Sequence, residues 1–290
     1  MAQNKNIEFV PDHPSKVAMV NGYEDDADKG MEGVDQNDFS LGFLGILQTL
    51  SSAVEAGLFP KGYIMNSATS KAVDGELGIY FIPVFRERLF VEWVPREKGG
   101  GRVADYKPED EVVLKAIENA EEQYKLFVNE NHLIETFYMY GIVIGEEIIT
   151  QDDVDYALEQ NGEVLVVGTK NEICFEACIP FTSAKIKRYK GWMTELRALK
   201  FTRKDNTKAN YPLFAHKFQL KTVEQEAPGG KYYNWDINFA GSNAATSRLS
   251  PHSEYYKMAK KLHEYLTKDG LRDFKNEKTS QEGDTDPEVM

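Results

Sequence analysis

The 290-residue chain has only two cysteines, Cys174 and Cys178. Four positions apart in a strand-like run, they share a face but stand too far apart along it for an ordinary bridge. Both are therefore expected as reduced core residues, and no further Cys or nearby His completes a metal set. Long apolar runs are missing too: nothing approaches the roughly 20 residues that span a bilayer. The N-terminus lacks the basic-then-apolar order of a signal peptide, so no membrane contact and a cytoplasmic location are expected. Phosphate-cradle fingerprints are absent as well. Gly99, Gly100 and Gly101 precede Arg102, yet no Gly-x-Gly-x-x-Gly or Gly-Lys-Ser/Thr pattern leads into a helix, and the triplet reads as a mobile loop. His132 has no Ser, Cys or carboxylate constellation around it. Asp152, Asp153 and Asp155 cluster at a helix start, where capping and the helix dipole explain them. No enzyme activity, metal or cofactor is expected.

What remains is a globular composition, 41% apolar and 12% aromatic, with a net charge of −13. Such a charge ordinarily repels nucleic acid. Here, however, the charge is segregated. Between Lys185 and Lys231 stand twelve Lys or Arg against four acids, a local +8 that leaves −21 for the rest of the chain. The acids concentrate in an N-terminal arm from Glu24 to Asp38, in a central helix and in the final residues. Tyr189, Trp192, Phe201, Tyr211, Phe218, Tyr232 and Trp235 are among the rings interleaved with the cations. Cations at this spacing can follow a phosphate backbone, and flat rings can stack on bases.

Pattern reading divides the chain into an acidic arm (1–38), a single α+β domain (39–274) and a disordered acidic tail (275–290). Ser40 is expected to cap a helix through Leu41, Leu44, Leu47 and Val54 that ends at Gly57, with an extended segment from Leu58 to Met65. Leu77 to Pro95 reads as two strands or one long bent one, Pro83 lying at an edge or bulge and Arg86, Arg88 and Arg96 alternating with apolar groups. Pro108 opens a helix to about Glu130. Strands follow at His132–Ile144, Glu163–Gly168 and Glu172–Pro180, the last two as a hairpin, with a short helix near Asp152–Gln160. Thr182 or Ser183 caps a helix to Leu199, whose first turns hold Lys185, Lys187, Arg188 and Lys190 against the sense of the helix dipole. Lys200–Asn210 reads as a basic loop. Tyr211–Gln225 and Lys231–Ala240 form a hairpin in which Tyr233, Trp235, Ile237 and Phe239 face the core and Tyr232 faces out. Pro251 begins a last helix that stops at Gly270.

Five stretches in this order, PVFRERLFVEWVPREKGGG, FTSAKIKRYKGW, LFAHKFQLKT, GGKYYNWDINFAG and the tail EGDTDPEVM, resemble phage-encoded single-stranded DNA-binding proteins. The tail departs from that pattern by ending in Val289 and Met290 in place of an aromatic residue. The resemblance implies an antiparallel OB-like β-barrel or curled sheet with helices packed outside. It also implies sequence-independent binding of single-stranded DNA in phage replication or recombination, in the host cytoplasm, and recruitment of replication or recombination proteins by the acidic tail. The binding residues expected are Arg86, Arg88, Lys185, Lys187, Arg188, Lys190, Arg203, Lys204, Lys217 and Lys231, with stacking by Tyr189, Trp192 or Tyr232. The alternative is a virion structural or assembly protein whose charged surfaces meet neighbouring subunits; it would form defined oligomers, whereas the DNA-binding reading leaves oligomerisation open.

Overall fold

The computed structural model describes residues 29–31, 41–120, 125–148, 170–227 and 230–270. The chain falls into two compact units. The smaller comprises Met1–Phe39 with Ile144–Cys174, and the larger Ser40–Val143 with Phe175–Met290. All of the arm but residues 29–31, the 163–168 strand, the 152–160 helix with its aspartates and the C-terminal tail lie outside the described residues.

Twelve strands are described: β1 (Gly42–Ile46), β2 (Ile64–Asn66), β3 (Lys71–Val73), β4 (Ile79–Trp93), β5 (Arg102–Tyr106), β6 (Leu126–Val128), β7 (Asn131–Ile148), β8 (Lys170–Thr182), β9 (Lys200–Thr202), β10 (Lys208–Asn210), β11 (Phe218–Ala227) and β12 (Gly230–Phe239). The described α-helices are α1 (Ser52–Glu55), α2 (Glu111–Glu118), α3 (Lys185–Ala198) and α4 (Glu254–Tyr265). The fold is α+β, with a strongly curled half-barrel sheet and few helices. Ten strands run in the order β12-β11-β4-β7-β8-β1-β2-β3, with β5 beside β4 and β6 beside β7, while β9 and β10 form a separate ribbon. The sheet is not purely antiparallel, because β1 lies parallel to β8.

Several expectations yield to this topology. Leu41, Phe43, Leu44, Ile46 and Leu47 are all buried. Apolar on both faces, this stretch forms the inner strand β1 in place of a helix, and only α1 survives of the expected one. The helix expected to reach Glu130 ends at Glu118, and Leu126–Val128 pairs with β7 instead. Lys200–Asn210 is not a loop but the β9–β10 ribbon, and its partner segment opens with a 3-10 turn at Leu213–Ala215 before β11 begins. Neither Thr182 nor Ser183 caps α3; Ala184 precedes it, and Ser183 takes a left-handed φ of 46°. Cys178 is buried but Cys174 is exposed, so only one of them is a core residue.

The β11–β12 hairpin forms as its alternation predicts: Trp235 is buried, and Tyr233, Ile237 and Phe239 pack on the main core. That core joins Phe81, Phe137, Phe181 and Phe218 to Tyr189 and Trp192 of α3. On β4, Ile79 and Phe81 face this core, whereas Phe85 meets Tyr140 and the α4 residue His263 on the other face. Farther along, Arg88 lies over the ring of Phe137 in the main core. Odd positions thus face α3 before Pro83 and even positions after it, a change of phase at the proline, which cannot donate to a ladder. Pairing with β11 stops at Phe81, two residues before it.

The β12 edge of the sheet meets the segment after β1 through a side chain. The Gln48 amide donates to the Tyr233 carbonyl at 2.9 Å and accepts the Tyr233 N–H at 2.8 Å. It thereby fills the position a strand backbone would take on the outer edge of β12. Beside it, Thr222 Oγ1 donates to the Gly62 carbonyl at 2.7 Å. Gly62 packs against the Tyr233 ring so closely that a Cβ there would stand 2.6 Å from it.

Candidate nucleic-acid interface

Helix α3 carries the cations expected at its amino end. Its first turn holds no acid, and Lys187, Arg188 and Lys190 are exposed. None of these three has an ion-pair partner among the described residues. The opposite face is apolar, and it buries Tyr189 (2% exposed) and Trp192 (3%). Tyr189 stacks on Phe137 at 4.6 Å between centroids, and Trp192 meets Phe218 edge-on at 5.0 Å. This corrects the stacking expectation for both rings: they are core residues and offer no face to a base. Ile186, Met193 and Leu196 at helical spacing around them carried that signal in the sequence.

Strand β4 adds to the same neighbourhood. The Arg88 guanidinium and the Lys190 ammonium both stand over the Phe137 ring, at 5.7 and 5.5 Å. Arg86 lies two positions from Arg88 on the same strand face. Burial pushes the Tyr189 hydroxyl pKa up, and the nearby Arg86 guanidinium pulls it the other way. Arg88 itself is held by Glu135 at 2.6 Å, so its charge is largely answered within the protein.

The remaining expected residues divide. Tyr232 is half-buried, and its hydroxyl donates to Gln225 Oε1 at 3.0 Å. The same oxygen accepts from Asn234 at 3.0 Å, and Asn234 also reaches the Ala184 carbonyl at 3.5 Å, which ties Tyr232 to the start of α3. Lys231 is bound by Glu224 at 2.9 Å, which raises the lysine pKa and lowers that of the carboxylate; Lys61 approaches the same acid at 3.5 Å. Lys231 is therefore a hairpin-tip ion pair and not a free cation. Arg203 and Lys204 sit exposed in the turn of the β9–β10 ribbon, which follows the carboxyl end of α3 in the chain. Lys217 adjoins the buried Phe218 and so lies on the face away from α3, with its ammonium 4.6 Å from the centroid of the Tyr80 ring. Tyr80 is 40% exposed and was not expected at a site. Its signal was the alternation of Ile79, Tyr80 and Phe81, which puts one ring outward between two buried side chains.

No group of three or more His, Cys, Asp or Glu that could hold a metal occurs among the described residues. The buried Glu92 instead accepts hydrogen bonds from Tyr106 at 2.7 Å and Asn131 at 2.6 Å, and the first of these pushes the Tyr106 pKa up to about 12. No described helix is long and apolar enough to cross a membrane.

The model of the family described as Pam3 phage gp34-like protein matches residues 12–271. The chain belongs to that family. Membership in the gp34-like family makes it a phage protein, and the matched region contains α3, β4 and the β11–β12 hairpin. Neither the curated proteins nor the solved structures contain a match.

Proposed function

We propose that this gp34-like protein binds single-stranded DNA without sequence preference, in phage replication or recombination, on an OB-like curled sheet. The observation that carries the reading is the set of exposed cations Lys187, Arg188 and Lys190 on α3, which meet no acid among the described residues, in a chain of net charge −13. Each cation placed at the positive end of a helix costs about 0.3–1 kcal/mol in the free protein. A docked phosphate reverses that cost, since free N–H groups and cations then converge on one anion. Lys185 belongs to the same turn. Phosphate contacts dominate, and Tyr232, half-buried and tied to the start of α3, is the ring left with surface for a base. No catalysis and no cofactor are part of the proposal, and the acidic tail 275–290 serves partner proteins.

Titration of fluorescent oligonucleotides, single and double stranded at two salt concentrations, tests it. With about five phosphates neutralised, log K against log salt should slope near −3.5 on single strands. A protein that binds no strand, or whose affinity ignores strand length, refutes the reading.

One observation favours a second reading, a virion or assembly protein. Leu114 and Ile117 on α2 and Phe127 on β6 are exposed around the small core of Phe90, Val113 and Leu126. Such a patch suits a subunit contact. Defined oligomers without strand binding, by light scattering and titration, would select it.

A further inference from the structure

Among the described residues four buried side-chain polar atoms lack a hydrogen-bond partner, and two of them, the Tyr189 hydroxyl and the Trp192 indole N–H, lie on the inward face of α3. An orphaned buried hydroxyl is costly and rare enough to need a reason. Tyr189 stands in a distinctive place. Its ring is stacked on Phe137, whose own ring carries the Arg88 guanidinium and the Lys190 ammonium. Arg86 joins them from the same face of β4. Three cations thus surround one two-ring stack, and among the described residues only Arg88 of the three is answered by an acid, Glu135.

We infer that Arg86, Lys190 and the Tyr189 hydroxyl form a discrete site for a phosphate oxyanion, with the Phe137 ring as its floor and the Arg88–Glu135 pair as its fixed wall. The inference rests on the nucleic-acid reading only for the source of the phosphate. Arg86 supplies a planar fork that suits a tetrahedral oxyanion, and Lys190 a point charge. The hydroxyl is covered in the free protein. Arg86 lies close enough to donate to the hydroxyl oxygen, but a guanidinium cannot accept, so the hydroxyl proton still lacks an acceptor. That proton goes to the ligand once the exposed Arg86 side chain turns toward it. Glu135 answers the charge of Arg88 and holds it at the edge of the site.

The full chain is tested with a fluorescent oligo(dT) strand and, separately, with inorganic phosphate. Replacing Arg86→Ala with Lys190→Ala should weaken the strand by at least roughly tenfold and make the salt slope shallower by about 1.4, two contacts at about 0.7 each. Tyr189→Phe should act in two directions at once. It removes an unsatisfied group, raising the melting temperature of the free protein by about 2–4 °C, and it removes a donor to the ligand, weakening binding about two- to fivefold. A Tyr189→Phe protein that binds as tightly as the parent overturns the site. So does one that melts lower than the parent. If Lys187→Glu with Arg188→Glu abolishes strand binding while the Arg86/Lys190 variant binds normally, the DNA reading stands and this site falls. If no strand binds but millimolar phosphate raises the melting temperature of the parent and not of the Arg86/Lys190 variant, the site stands for a free phosphate and the DNA reading falls. No phosphate shift and no strand binding end both.

Discussion

The amino-terminal half of α3 and the tip of the β11–β12 hairpin are both basic and both come from the same charge-rich stretch, yet they differ in what meets the charge. At the hairpin tip Lys231 and Lys61 converge on Glu224, and the positive charge is spent inside the protein. On α3, Lys187, Arg188 and Lys190 meet no acid among the described residues. A count of cations along the sequence treats the two alike. The presence or absence of one carboxylate separates a tie from a surface that still seeks an anion.

The inward and outward faces of α3 set the largest expected effect. Trp192→Ala should destabilise the fold by about 3–5 kcal/mol, because it empties a site packed by Phe81, Phe181 and Phe218. Urea unfolding measures the loss; at a temperature where the variant stays folded, strand affinity should change by less than about twofold, since no base stacks on that ring. A large affinity loss in the folded variant would return Trp192 to the interface.

Next comes the contrast itself. Lys187→Glu with Arg188→Glu should weaken strand binding by roughly tenfold or more, whereas Lys231→Glu should change it by less than about twofold. Equal losses in an oligonucleotide titration would erase the distinction between paired and unpaired cations. The distinction can also be sharpened by converting one kind into the other. Glu135→Gln releases Arg88, and binding should tighten by about two- to threefold with a steeper salt slope. Unchanged affinity would mean that Arg88 faces no ligand.

The smallest effect lies on the side of the molecule where the cation is Arg248. His216 is buried, with Nδ1 3.2 Å from Ser247 Oγ, and burial lowers its pKa. The unfolded chain therefore takes up the proton first as pH falls, at about 6.5. Stability is complete above that value and declines as pH drops below it. A His216→Gln protein should lose that part of the acid sensitivity; identical melting profiles from pH 7 to 5 would refute the assignment.

Legibility in the sequence followed the range of the signal. The hairpin through Gly230, the long strand from Ile79, α3 and α4 could all be read from alternation, helical spacing and turn residues, because local chemistry decides them. Pro83 was legible as an irregularity, and the structure puts a change of side-chain phase there. β1 was not legible: an apolar run buried on both faces has no period, and its neighbour β8 lies far along the chain. The candidate site was read in part. The helix cations were visible, but the pairing of Arg88 with Glu135, 47 residues away, and the sealing of Tyr189 against Phe137 are tertiary events. Tyr80 was legible only through alternation, as the outward ring between Ile79 and Phe81, and its meeting with Lys217 from another strand is again tertiary.

The hold of the Gln48 amide on the β12 edge has a consequence for how the protein breathes. A ladder of backbone bonds unzips in sequence, each rung protecting the next, whereas a single clasp lets go in one event. The Tyr233 amide proton should therefore exchange with solvent by a local opening that leaves its strand neighbours protected. Seam and sheet would part on different timescales, with Gln48 the hinge pin between them.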